Sequence, residues 1–159
     1  MSNKKFNTYN FKETQQLAKE FAKQILWQGP KKSAIIVSLA GDLGSGKTTF
    51  VQGFADGAGV KEKILSPTFN IIKKFNICNS KFKNFYHIDA YRLNSPQELL
   101  DLGLADLIKN PQNIILIEWA DKVMGVLPSE TIFIKFFHGK IENERELAVS
   151  DRGSADEAE

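Results

Sequence analysis

Apolar positions follow two different periods along this chain, and the switches between them outline its architecture. Leu17, Ala18, Phe21, Ala22, Ile25 and Leu26 recur at helical spacing behind Asn10-Phe11-Lys12-Glu13, a segment able to form a capping box. Gly29-Pro30 ends that helix. The apolar run from Ala34 to Ala40 then suits a buried parallel strand. A glycine-rich loop follows, and behind it a second helix whose buried face carries Phe50, Val51, Phe54 and Ala58.

Two strand-like runs, 69–77 and 81–89, flank the turn-prone pair Asn79-Ser80, a spacing that predicts a hairpin. Ser95-Pro96-Gln97-Glu98 combines a cap, proline at the first helical position and glutamate at the third, and so starts a helix with Leu99, Leu102 and Leu107 facing inward. Asn113 to Glu118 reads as another buried strand, with further strands over 132–136 and 146–150. Strands alternate with helices early in the chain, and the later part is strand-rich. A three-layer α/β/α domain with a mixed, mainly parallel sheet accommodates both. The expected division is one domain over 1–150 and an acidic, disordered tail over 151–159.

Composition narrows the function classes. At 159 residues, with 42% hydrophobic and 25% charged residues, the chain can bury one core. No apolar stretch approaches the ~20 residues of a membrane-spanning helix, and the polar first ten residues carry no leader pattern, so no membrane association is expected. The lone cysteine, Cys78, fits a reducing cytoplasm, the expected location. A net charge of +2 is too small to predict a nucleic-acid surface by itself, so any contact with RNA is expected to run through a partner.

The chemistry begins with Gly41-Asp42-Leu43-Gly44-Ser45-Gly46-Lys47-Thr48, a complete G-x-x-x-x-G-K-[ST] phosphate-binding loop. It lies between a predicted buried strand and a predicted amphipathic helix, as its mechanism requires. The glycines let backbone amides and the helix N-terminus surround phosphate oxygens. Lys47 then reaches the β- and γ-phosphates, and the Thr48 hydroxyl ligates Mg²⁺.

Such a loop needs a carboxylate across from it, usually at the end of a buried strand. Glu118 follows Ile114-Ile-Leu-Ile117, and Asp89 follows Phe85-Tyr-His-Ile88. We assign Glu118 to Mg²⁺, directly or through water, and Asp89 to the attacking water. The two roles can be exchanged without violating the pattern. Thr68, in Ser66-Pro67-Thr68-Phe69, is placed for contact with the γ-phosphate or a metal-bound water, although a plain turn explains those four residues equally well. His87 is expected to satisfy a local hydrogen bond, and Trp119 to pack in the core ahead of the alternative, a flat surface for a partner. With His87, His138 and one cysteine, a zinc site is not expected.

Four blocks in fixed order, Gly41 to Thr49, Ser66 to Phe69, His87-Ile-Asp-Ala-Tyr-Arg-Leu93 and Ile117-Glu-Trp119, resemble the TsaE (YjeE) family. The Gly-Asp-Leu-Gly-Ser-Gly-Lys-Thr-Thr loop and the Glu-Trp pair are its most distinctive parts, and the resemblance runs from about Thr14 to Arg145. It implies a P-loop NTPase fold, with ATP and Mg²⁺ as cofactors and TsaD and TsaB as partners. That assembly places a threonylcarbamoyl group on an adenosine of tRNAs that read codons beginning with A, so tRNA is met indirectly. The family's ATP hydrolysis supports turnover by the assembly and is weak in isolation. Matched residue by residue, the resemblance implies roles at the nucleotide for Lys47, Thr48, Thr49, Thr14 and Arg145. It makes Glu118 the Mg²⁺ ligand and puts Asp89 in a block important for activity.

Three other readings compete. A small-molecule kinase of the same class needs an arginine-bearing lid, but Arg92, Arg145 and Arg152 form no such insertion. A GTPase needs an Asn-Lys-x-Asp run, which the chain lacks. A nucleotide-dependent binding module without useful turnover is the third, and hydrolysis assays with and without partners separate it from an ATPase that serves a tRNA-modifying complex.

Overall fold

The computed structural model describes residues 3–65, 70–79 and 81–151. Helix α1, Phe11–Gln28, begins where expected: the Asn10 side chain accepts from the Glu13 amide at 2.9 Å. The returning bond of the capping box lands one residue early, with the Tyr9 amide donating to Glu13 Oε1 at 3.2 Å. Gly29, at φ 82°, closes the helix. Strand β2, Ile35–Gly41, leads through the glycine-rich loop into α2, Lys47–Ala58, whose Phe50, Val51, Phe54 and Ala58 are buried as their spacing predicts.

A seven-stranded sheet runs in the order β1-β7-β6-β2-β5-β4-β3. At its centre, β6 (Ile132–His138), β2, β5 (Asn113–Glu118) and β4 (Asn84–Asp89) are mutually parallel. Antiparallel partners close both flanks, with β3 (Ile72–Asn76) on β4, and β7 (Arg145–Asp151) on β6 followed by β1 (Lys4–Thr8). The sheet is therefore mixed and mainly parallel. Residues 152–159 of the expected tail, and residues 66–69 with Thr68, lie outside the described residues.

Helices α1 and α2 cover one face, over a core that includes Phe50, Phe54, Phe85, Leu116 and Leu147. The opposite face packs Leu99, Leu104, Ile115, Ile117 and Val123 beneath α3 (Pro96–Asp101), α4 (Leu104–Lys109) and two 3₁₀ turns, Ala120–Lys122 and Met124–Val126. Between these two layers β5 is buried along its whole length.

Two expectations need correction. The segment after Ser95 is two short helices rather than one. Gly103 takes φ 98° between them, and Leu102, expected inward, is 49% exposed. Leu102 is the C-cap at which α3 has already ended, and the left-handed backbone of Gly103, which glycine adopts readily, starts α4 in a new phase. The second correction is β1, Lys4–Thr8, a strand within the polar first ten residues, where none was expected. It is a short edge strand with two exposed lysines, so it shows no apolar run.

Candidate functional site

The parallel strands deliver the chemistry to one edge of the sheet. The glycine-rich loop leaves β2 at its C-terminal end, and Asp89 and Glu118 terminate β4 and β5 at that same end. Ligands of open α/β sheets bind in this position. Asp89 and Glu118 face each other in the parallel register. Alternation along the strands turns both carboxylates toward the face carrying α2.

Gly46 caps α2 at φ 104°, a left-handed conformation that costs any other residue strain and turns the chain directly into the helix. The first amides of a helix have no acceptor inside it and carry the positive end of its dipole. They meet a cavity of about 550 Å³ lined by, among others, Thr14, Gly44, Gly46, Lys47, Thr48 and Thr49. Asp89, Tyr91, Glu118, Trp119 and Arg145 line its other side.

Lys47 curls back over its own loop. Its Nζ donates to the carbonyls of Gly41 at 2.5 Å and Asp42 at 2.8 Å, and it lies 4.1 Å from the centre of the Trp119 ring. Burial lowers the pKa of this ammonium below its ordinary value, and Glu118, Asp121, Asp42 and Asp89 pull in the opposite direction. Trp119 holds φ 58°, the one non-glycine residue with positive φ among those described, and its ring lies 5.1 Å from that of Tyr91, tilted by 54°. Half-buried, it packs against the core on one side, as expected, and walls the cavity on the other.

Glu118 is 3% exposed and has two side-chain partners. Thr48 Oγ1 donates to its Oε1 at 2.8 Å, and His87 Nε2 lies 2.6 Å from its Oε2. Asp89 is half-buried and accepts the Tyr91 amide on Oδ1 at 3.0 Å. Burial raises its pKa above the ordinary carboxylate value, the Tyr91 amide opposes that shift, and the neighbouring Glu118 charge reinforces it.

A sequence model of the family described as "Threonylcarbamoyl adenosine biosynthesis protein TsaE" matches residues 8–147. The chain belongs to the TsaE family. Its similarity to "tRNA threonylcarbamoyladenosine biosynthesis protein TsaE" of Haemophilus influenzae is 41% identity over 73% of this chain and 70% of that one. With the Bacillus subtilis protein of the same name it is 36% identical over 97% of this chain and 89% of that one. A crystal structure of YdiB from Bacillus subtilis superposes with a TM-score of 0.72 and 33% identity, covering 99% of this chain and 90% of that chain.

Within this TsaE fold the expected residues Thr14, Leu43, Gly44, Gly46, Lys47, Thr48, Thr49, Asp89, Glu118 and Arg145 all line the cavity. Gly41, Asp42 and Ser45 act from behind it, the first two through carbonyls on Lys47 and Ser45 through a hydroxyl 3.4 Å from Nζ. Thr14 is tied to Thr8 by a 2.7 Å hydroxyl contact, which joins α1 to β1. Arg145 donates to the carbonyls of Glu142, Glu144 and Gly44, so it braces the glycine-rich loop from β7.

Phe11, Tyr91 and Asn143 line the same cavity and were not anticipated. Tyr91 stood in a family block; Phe11 and Asn143 carried no sequence signal. No cluster of three or more His, Cys, Asp or Glu residues suited to a metal occurs among the described residues. Mg²⁺ does not need one, since it keeps waters and phosphate oxygens and takes one or two protein oxygens. The Thr48 hydroxyl beside the Glu118 carboxylate is a hard-oxygen pair of that kind.

Proposed function

We propose that this chain is a Mg²⁺-dependent ATPase that serves threonylcarbamoyladenosine formation on tRNA, working in the cytoplasm with TsaD and TsaB. The observation that carries the reading is the Thr48–Glu118 hydrogen bond at the mouth of the phosphate-binding loop. It joins the loop's hydroxyl to a strand-end carboxylate, the pairing that P-loop enzymes use around a nucleotide-bound metal. Membership of the TsaE family and the names of its relatives supply the tRNA pathway.

In this reading Lys47 exchanges the Gly41 and Asp42 carbonyls for β- and γ-phosphate oxygens when ATP enters. The amides of the loop and of α2 carry the remaining phosphate charge. Thr48, and Glu118 directly or through water, would hold Mg²⁺, which would supply charge neutralisation at the phosphates. Asp89 accepts a proton from the attacking water, and its raised pKa suits a group that must take a proton and later release it. Thr68 remains a candidate for contact with the γ-phosphate.

A small-molecule kinase is the weaker reading. Arg145 is the one arginine lining the cavity among the described residues, and it is engaged with backbone carbonyls rather than poised over a second substrate. The deciding experiment is ATP hydrolysis by the purified chain, alone and with TsaD and TsaB from the same organism. The proposal expects weak turnover alone and strong stimulation by the partners. Equal rates with and without them, alongside intact ATP binding, would overturn the coupling role.

A further inference from the structure

The Thr48 contact of Glu118 belongs to the phosphate-binding loop, but its second contact has no part in the reaction described so far. His87 lies on β4 two residues before Asp89, on the same face of the strand, and is 0% exposed. Its Nε2 is 2.6 Å from Glu118 Oε2, and its Nδ1 is buried without a hydrogen-bond partner among the described residues. An ionised carboxylate only accepts, so Nε2 carries the proton that lies between them. Of the two neutral tautomers, only the one with its proton on Nε2 can donate to this carboxylate.

Such a hold has a physical purpose. A glutamate has one more rotatable bond than an aspartate, and at a strand end its carboxylate would sample several rotamers. His87 pins Oε2, leaving Oε1 on the side of Thr48. Outer partners of metal-ligating groups act this way, fixing the ligand before the ion arrives.

We propose that His87 is a positioning residue that orients the Glu118 carboxylate toward Thr48 and so sets the affinity of the nucleotide site for Mg²⁺. The inference rests on the reading of Glu118 as the Mg²⁺ ligand. It assigns His87 no contact with substrate and no proton transfer.

The test is titration of a fluorescent ATP analogue into the wild type, His87→Leu, His87→Gln and Glu118→Ala, in EDTA and across a range of Mg²⁺ concentrations. In His87→Leu the Mg²⁺ concentration for half-maximal tightening should rise about 10- to 100-fold, the usual cost of losing an outer partner. Affinity in EDTA should match the wild type, an outcome that general damage to the fold would not give. His87→Gln, whose amide can donate from near the Nε2 position, should recover most of the Mg²⁺ affinity.

An unchanged Mg²⁺ requirement in His87→Leu would overturn the proposal, as would a glutamine variant as defective as the leucine one. If the leucine variant does not fold, His87→Asn against His87→Gln decides. The shorter donor should lose Mg²⁺ affinity and the longer one keep it, and equal behaviour would overturn the proposal. Glu118→Ala separates the two layers of the argument. If it shifts the Mg²⁺ requirement while the His87 variants do not, only the positioning role falls. If it shifts nothing, the assignment of Glu118 falls and the role of His87 falls with it.

Discussion

Thr48 Oγ1 and Glu118 Oε1 are 70 residues apart in sequence and 2.8 Å apart in space. The contact exists because β2 and β5 are parallel neighbours, with Leu39 opposite Glu118 in the register. The loop that leaves β2 therefore starts α2 directly beside the end of β5. An arrangement assembled this way depends on strand register as much as on residue type. A slip of one residue in β5 would turn Glu118 to the opposite face.

The two strand-end carboxylates should fail differently when removed. Asp89→Ala should lower kcat by about 10²- to 10⁴-fold, the usual contribution of a proton acceptor, with little change in ATP affinity. Glu118→Ala should lose the Mg²⁺ dependence of hydrolysis more completely than it loses ATP binding. Steady-state kinetics across Mg²⁺ concentrations check both. Mg²⁺ dependence that survives in Glu118→Ala and vanishes in Asp89→Ala would exchange their roles.

The raised pKa of Asp89 has a consequence for stability. Burial penalises its charged form, so below the ordinary value of 3.8 the group is protonated in folded and unfolded chains alike and carries no penalty. As pH rises through the elevated folded value, the native state ionises at a cost and stability is lost. Asp89→Asn should therefore melt at a higher temperature than the wild type at about pH 7, and the difference should close at about pH 3. Thermal melts at the two pH values check this. A difference of the same size at both would contradict it.

Much of this arrangement was legible in the sequence because its signals are local. The glycine-rich loop is contiguous, β5 is an apolar run ending in its carboxylate, and Gly29-Pro30 punctuates α1. What escaped was non-local or weakly patterned. His87 meets a residue 31 positions away, which no spacing rule connects. Strand β1 is polar because one of its edges faces solvent. The apolar spacing across Leu99, Leu102 and Leu107 looked like one helix, yet Gly103 interrupts it. A glycine is compatible with a helix on paper, and only packing reveals that the backbone turned left-handed there.

Helix contact also predicts an effect with no chemistry in it. A Cβ added at Gly53 would stand 2.3 Å from the Gln15 carbonyl oxygen and 2.6 Å from its Cα, where α2 crosses α1. Alanine gains about 1 kcal/mol over glycine in a helix interior. Overpacking against backbone costs about 1–3 kcal/mol, since no side chain can swing away. Gly53→Ala should therefore lower the urea midpoint, and a raised midpoint would contradict the close crossing.

The most direct test of the account is calorimetric titration of ATP into the wild type and Lys47→Ala in the presence of Mg²⁺. The account predicts saturable binding to the wild type and at least a tenfold loss in the variant, about 1.4 kcal/mol, because the charge that meets the β- and γ-phosphates is gone. Equal affinity in the two proteins would contradict the assignment of the loop, and with it the catalytic reading built on Thr48, Asp89 and Glu118.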